Sequence, residues 1–177
     1  MKVAMCNIES DRLILEPLTA LHAQESFERW TSGLYRFIPT QPPENLDTLK
    51  RRYVTLEGRS SSSGKEGWLN WFVRERSTGE LVGLIEVTLF EGASAQIAYF
   101  VFEVYQRRGF ATEACRAVLY SLSKDYGVKE VHSCIDTRNI RSIALVERLN
   151  FRLIKTTKDA DFFRGESSDE YEFAIDL

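Results

Sequence analysis

The chain is poor in the residues that build metal sites and disulfide scaffolds: three cysteines, two histidines and four prolines in 177 positions. Three widely spaced cysteines, an odd number, do not make a disulfide framework. No Cys-x-x-Cys pair occurs, and His22 and His132 stand alone, so no zinc or other metal is expected. No apolar run approaches the roughly 18 residues that a bilayer crossing needs. The segment Met1–Asp11 also lacks the apolar core of a secretory signal. A reduced, cytoplasmic chain without a membrane partner is therefore expected. The net charge of −3 leaves no broad basic face, which argues against a nucleic-acid partner and makes any anion site local. No Gly-x-Gly-x-x-Gly follows an early strand and no Gly-Lys-Ser/Thr closes a phosphate loop, so dehydrogenase and P-loop readings fail.

What is present fits one compact α/β unit spanning residues 1–177, with an ordinary 44% apolar and 28% charged composition. Arg12–Pro17 reads as a strand, and Thr19 as the cap of a helix running to about Trp30. Leu46, Leu49, Tyr53 and Leu56 recur at helical spacing behind Pro42-Pro43. The stretch from Glu57 to Gly67, rich in serine, reads as a flexible tether. Trp68–Glu75 and Leu81–Phe90 are strands joined across Ser77-Thr78-Gly79-Glu80, a hairpin signal. A Glu91-Gly92-Ala93 turn leads to a strand over Gln96–Val101. A long helix then runs to Tyr126, stopped by Gly127, with Ala111, Cys115, Val118, Leu119, Leu122 and Tyr126 as its apolar stripe. Val128–Asp136 follows as a strand and Asn139–Leu149 as a helix. Phe151–Thr156 and Glu170–Leu177 close the chain as two strands around a polar loop. These elements predict a mixed α/β (α+β) fold, a sheet of about seven strands with helices on both faces.

The most informative segment is Gln106-Arg107-Arg108-Gly109-Phe110-Ala111, which joins the strand at Val101 to the long helix. A strand that ends in a glycine-bearing turn and opens a helix leaves backbone N–H groups without intrahelical partners, and the helix dipole adds positive charge there. Cations are unfavourable at a helix N-terminus unless something negative sits among them, so Arg107 and Arg108 strengthen the case for a bound phosphate.

These residues resemble the GNAT superfamily of N-acetyltransferases, specifically its ribosomal-protein-serine/alanine branch (the RimJ/RimL type). Gln106, Gly109 and Ala111 match that family's acetyl-CoA motif in order. Asn139, Ser142, Leu145, Glu147, Arg148 and Phe151 match a second element, and Arg12-Leu13-Ile14-Leu15-Glu16-Pro17-Leu18 looks like the branch's opening. Asn150 departs from the family, which has glycine after the last helix; asparagine tolerates the left-handed conformation that the turn requires. The resemblance implies a GNAT fold with a mostly antiparallel sheet and acetyl-CoA as cosubstrate, attacked directly by an amine.

It also implies roles. The pyrophosphate would rest on the backbone N–H groups of Arg107, Arg108, Gly109, Phe110 and Ala111, with a hydroxyl from Thr112. The N–H near Val101 would face the thioester carbonyl. Asn139 would fix the pantetheine or thiol end, and Ser142 would hydrogen-bond or protonate the departing thiolate. Glu86 and Glu103 are both candidate bases, directly or through water, and a water chain without a dedicated base is a third option. An α-amine with pKa about 7.8 is neutral roughly one time in seven at pH 7, against about one in 2,500 for lysine, a gap of about 3.5 kcal/mol. An N-terminal acceptor therefore tolerates a weak base.

The resemblance implies a protein N-terminal α-amine as the acceptor. A small amine (antibiotic, polyamine or amino acid) and a non-catalytic acyl-CoA-binding module are the alternatives. Tyr35 and Trp71 are candidates to line the acceptor groove. The loop carrying Asp159, Asp161, Phe162, Phe163 and Arg164 either borders the acceptor or is simply solvated. Cys115 and Cys134 read as packing residues, and His132 as a satisfied strand residue. Monomer and homodimer are equally compatible with the sequence.

Overall fold

The computed structural model describes residues 4–177; residues 1–3, the start of the segment read for a signal core, lie outside it. The elements are β1 (Ile8–Glu9), β2 (Leu13–Pro17), α1 (His22–Ser26), α2 (Leu46–Glu57), β3 (Gly67–Glu75), β4 (Leu81–Phe90), β5 (Ser94–Val101), α3 (Phe110–Tyr126), β6 (Glu130–Asp136), α4 (Ile140–Arg148), β7 (Arg152–Phe163) and β8 (Glu166–Asp176). Short 3-10 turns cover Phe27–Arg29, Ser32–Tyr35 and Glu103–Tyr105. The strands form one sheet of eight in the order β1-β2-β3-β4-β5-β6-β8-β7. Neighbours are antiparallel except β5 and β6. The strand beyond the expected seven is β1, whose two residues are too few to leave a periodic signal.

Strand alternation sends successive side chains to opposite faces, and each face has its own core. Leu69, Trp71 and Val73 of β3, Ile85 and Val87 of β4, and Ile97 of β5 pack against Cys115, Val118 and Leu122 of α3 and Leu145 and Val146 of α4. Phe72, Leu84 and Phe102 pack on the other side with Trp30, Tyr35, and Leu49 and Tyr53 of α2. Full burial of one such aliphatic or aromatic side chain contributes about 1.5–3 kcal/mol. Burial also pushes the Cys115 thiol far up, in keeping with a packing role. Two helix ends have the required left-handed residue: Gly127 at φ 67° after α3 and Asn150 at φ 66° after α4. Asn45 caps α2, accepting from the Thr48 N–H at 2.9 Å.

Three expectations are corrected. The first helix is only His22–Ser26, followed by the 3-10 turn, and Thr19 does not cap it; its N–H and hydroxyl meet His22 Nδ1 at 3.0 and 3.1 Å. The serine-rich stretch folds back on β3, with a bridge between Ser60 and Gly67 and the Trp68 N–H donating to the Arg59 carbonyl. The polar loop expected near the C-terminus is instead the far half of a long hairpin, closed by Arg164 and Gly165 at φ 56° and 80°. Left-handed φ at both central residues matches the twist of the flanking strands. Much of β7 is exposed, so it carries no hydrophobic alternation to betray a strand.

Candidate active site

β5 and β6 pair in parallel only through Ser94–Glu130, Ala95–Val131 and Gln96–His132, then separate. The wedge between Ile97–Val101 and Ser133–Asp136 opens into a cleft of about 1180 Å³. Its other walls are the turn before α3, the start of α4, residues 33–38 and the β7–β8 hairpin tip. The register dictates what β5 presents there. The Phe102 N–H donates to the Val82 carbonyl at 2.9 Å, and antiparallel hydrogen-bonded pairs recur every second residue. Ile97, Tyr99 and Val101 therefore turn their backbone groups away from β4, and at Tyr99 and Val101 there is no β6 to meet them. The Val101 carbonyl accepts from Gln106 Nε2 at 3.1 Å, which leaves the Val101 N–H facing the wedge.

At the mouth of the wedge the chain curls through Arg107 (φ 63°) and Gly109 (φ 81°) into α3, whose start has no side-chain cap. The first intrahelical bond runs from the Glu113 N–H to the Gly109 carbonyl, so the N–H groups of Phe110, Ala111 and Thr112 have no helical partner. Gly109 to Thr112 all line the cleft, as does Arg107. Phe110 takes part through its backbone, its ring being only 2% exposed. The Arg108 side chain turns elsewhere: its guanidinium pairs with Glu75 at 2.9 Å and covers the Phe110 ring at 4.8 Å, so only its backbone is left for the role expected of it.

α4 supplies the facing wall. Asn139 is its N-cap, with Oδ1 accepting from the Ser142 N–H at 3.3 Å, so that oxygen serves the helix. Ser142 lines the cleft. Its carbonyl accepts from the Tyr99 phenol at 3.1 Å. Burial raises the Tyr99 pKa, keeping the phenol protonated. Arg141 reaches back to Gln106 Oε1 at 3.0 Å, so a chain of side-chain bonds runs from α4 to the Val101 carbonyl.

The two acids part company. Glu86 faces α2, where Arg52 meets it at 3.0 Å, and it is not on the cleft wall; burial, partly offset by Arg52, holds its pKa above the usual range. Glu103 lies in the cleft, paired with no cation among the described residues, and its carboxylate rests so close to Gly33 that a Cβ there would meet Oε1 at 1.9 Å. Tyr35 and Trp71 are both corrections. Trp71 is fully buried on the α3 side, donating from Nε1 to the Cys6 carbonyl at 3.1 Å, and Tyr35 is a core residue on the α2 side. An aromatic side chain that can bury completely gains more by doing so than by lining a wet groove.

Several cleft residues lay outside the sequence reading: Tyr99, Arg138, Arg141, Leu34, Arg36, Phe37 and Ile38. Arg138 and Arg141 flank Asn139 in the chain, a concentration of charge beside a motif that was open to notice. Arg138 pairs with Asp136 at 2.7 Å and with Glu166 of the hairpin tip at 3.0 Å. Arg164, also at that tip, donates to the Tyr35 carbonyl at 2.7 Å. These bonds tie the hairpin over one end of the cleft, bringing the predicted acceptor-border residues Phe163 and Arg164 onto its wall. Among the described residues no group of His, Cys, Asp and Glu is placed to hold a metal, and no helix is long and apolar enough to cross a membrane.

Comparison with known proteins agrees with this geometry. Residues 12–152 match the family described as the acetyltransferase (GNAT) domain. The chain is 32% identical over 81 residues to an N-alpha-acetyltransferase of Saccharolobus solfataricus; the match spans 46% of this chain and 47% of that relative. The ribosomal-protein-S5-alanine acetyltransferase of Vibrio fischeri superposes with a TM-score of 0.83 at 15% identity, covering 97% of both chains. RimL, the ribosomal L7/L12 alpha-N-protein acetyltransferase in complex with coenzyme A, does so at 0.84 and 16%, covering 97% of this chain and 98% of its own. At such identities the two structures speak for the fold, while the family match extends over most of the chain. The chain belongs to the GNAT acetyltransferases and is an N-acetyltransferase.

Proposed function

We propose that the cleft binds acetyl-CoA along the wedge and passes the acetyl group directly to the α-amine of a protein N-terminus. The observation that carries this reading is the parting of β5 from β6 beside an uncapped α3. One opening thereby presents strand N–H groups at Tyr99 and Val101 that meet no neighbouring strand, and a cluster of donors over Gly109–Thr112. The cluster suits a diphosphate, and the Val101 N–H suits a thioester carbonyl. Acetyl-CoA bound there supplies an activated acetyl carbon.

The chain's own residues do the placing. The Val101 N–H meets the carbonyl oxygen as negative charge grows on it, a contribution of about 2.7–4 kcal/mol in comparable sites. The Ser142 hydroxyl donates to the departing sulfur, with the Tyr99 phenol holding its backbone. Glu103, unpaired and on the cleft wall, takes the amine proton, directly or through a water. Glu86, engaged by Arg52 behind β5, has no part in this scheme. A solvated carboxylate is a weak base, and an α-amine is the acceptor that tolerates one. The names of the archaeal relative and of RimL concern α-amines, which supports the same choice.

The test is release of free thiol from acetyl-CoA with Ser- and Ala-starting peptides beside a panel of small amines. Turnover with peptides alone supports the reading. Turnover with small amines alone replaces the acceptor, and silence with both, acetyl-CoA still bound, leaves a binding module.

A further inference from the structure

Arg12 opens the segment that resembles the RimJ/RimL branch, yet it is not part of the cleft wall. It lies on the outer side of the phosphate turn. Its backbone N–H and its Nε donate to the two carboxylate oxygens of Glu113 in the first turn of α3, at 2.8 and 2.7 Å. Its Nη1 donates to the Arg108 carbonyl at 3.0 Å. Its guanidinium lies 4.9 Å from the centre of the Phe110 ring. The Ser10 hydroxyl adds another bond to Glu113, at 2.7 Å. One side chain thus grips both the residue before Gly109 and the first turn of the helix after it.

The direction of that grip matters. In a planar trans peptide the carbonyl and the following N–H point to opposite sides, and the described chain has no cis bond. Drawing the Arg108 carbonyl outward to Arg12 therefore turns the Gly109 N–H inward, toward the cleft that Gly109 lines. The two-point hold on Glu113 sets the azimuth of the first turn of α3, and so the aim of the free N–H groups at Phe110, Ala111 and Thr112. Arg107 and Gly109 both occupy left-handed backbone, where alternative turn geometries lie close by, and the outer clamp selects one of them.

We propose that Arg12, anchored on Glu113, is a positioning residue that aims the Gly109–Thr112 donors at the diphosphate of the acyl donor without touching it. The inference rests on the acetyl-CoA reading of the cleft. Its test compares two acyl donors, acetyl-CoA and acetylpantetheine, the second carrying the thioester arm without a diphosphate. Arg12 is about half exposed, so its loss leaves both cores intact. Arg12→Met raises KM for acetyl-CoA about tenfold, the scale of one charge-assisted hydrogen bond, with kcat within twofold of wild type. The kcat/KM for acetylpantetheine is unchanged. The double variant Arg12→Met/Glu113→Gln, which removes the carboxylate left without its counter-ion, shows the same loss.

Three results overturn the inference: an unchanged KM for acetyl-CoA, an equal loss with both donors, or full recovery in the double variant. The last would make the effect one of charge rather than of aim. If wild-type protein gains nothing from the diphosphate, using both donors equally well, then the acetyl-CoA reading itself fails, a result separate from any of these.

Discussion

Replacing Gly83 with alanine probes the cleft from behind. Gly83 lies on β4 opposite Val101, outside the cleft wall. A Cβ there would stand 2.2 Å from the Phe100 carbonyl oxygen and 3.3 Å from the Val101 Cα. Cβ atoms do not approach closer than 3.0 Å, so the end of β5 has to retreat by at least ~0.8 Å. The backbone is pushed toward the wedge, where it has no strand to lean on. Two costs follow. Overpacking of this kind destabilises by about 1–3 kcal/mol, or roughly 2–4 °C of Tm per kcal/mol in a chain of this size. A misplacement near 1 Å at the Val101 donor lowers kcat about 100-fold, equivalent to about 2.7 kcal/mol of barrier.

Gly92→Ala is the control. Its backbone is at φ 83°, so a side chain strains it, but nothing lies within 4 Å of the new Cβ. It loses a comparable amount of stability and keeps its kcat. Steady-state kinetics with acetyl-CoA and thermal denaturation of both variants settle the matter. A Gly83→Ala enzyme that loses Tm but keeps kcat within about threefold refutes Val101 as the carbonyl donor.

Other outcomes follow from the same geometry. Glu103→Gln lowers kcat about 100-fold and leaves KM for acetyl-CoA unchanged; an active variant would return the proton transfer to water or to Glu86. Trp71→Ala costs about 3–5 kcal/mol in a denaturation experiment, because the ring is buried against α3; a change confined to acceptor KM would contradict that placement. At His132, burial works against protonation, but hydrogen bonds to Glu130 and Glu172 prevail and hold the pKa above its ordinary value. The imidazolium therefore adds stability that is complete below pH about 6.5 and fades as pH rises through the folded-state pKa. Urea denaturation of His132→Gln at acid and alkaline pH should show its deficit mainly at acid pH; an equal deficit at both would remove the charge from the explanation.

The parts of this fold that could be read ahead of the structure were those where local chemistry and tertiary need coincide. Gly127 ends α3 and Asn150 ends α4 because left-handed backbone admits few residue types, so residue identity there is nearly a statement of conformation. The turn at Gln106–Ala111 is legible for the same reason. The far half of the hairpin β7–β8 was not, since a strand exposed along most of its length writes no alternation. Tyr35 and Trp71 failed as acceptor residues because an aromatic ring suits a core and a groove equally well, and only packing distinguishes them. Between Glu86 and Glu103 the deciding fact is Arg52, 34 positions before Glu86 and brought to it only by packing of α2 on the sheet.

The sparse pairing of β5 with β6 has a mechanical consequence. Strands β1–β5 form one plate and β6, β8 and β7 another, and three residue pairs form the seam between them. The β7–β8 hairpin extends from the second plate as a lever, its tip tethered to residue 35 at the border of the first. A molecule lodged in the seam that bonds to both edges splints the plates and fixes the lever's angle. Whatever fills the seam thus sets the width of the opening beneath the hairpin tip, and slower amide exchange at Tyr99 and in the hairpin on adding coenzyme A would register that stiffening.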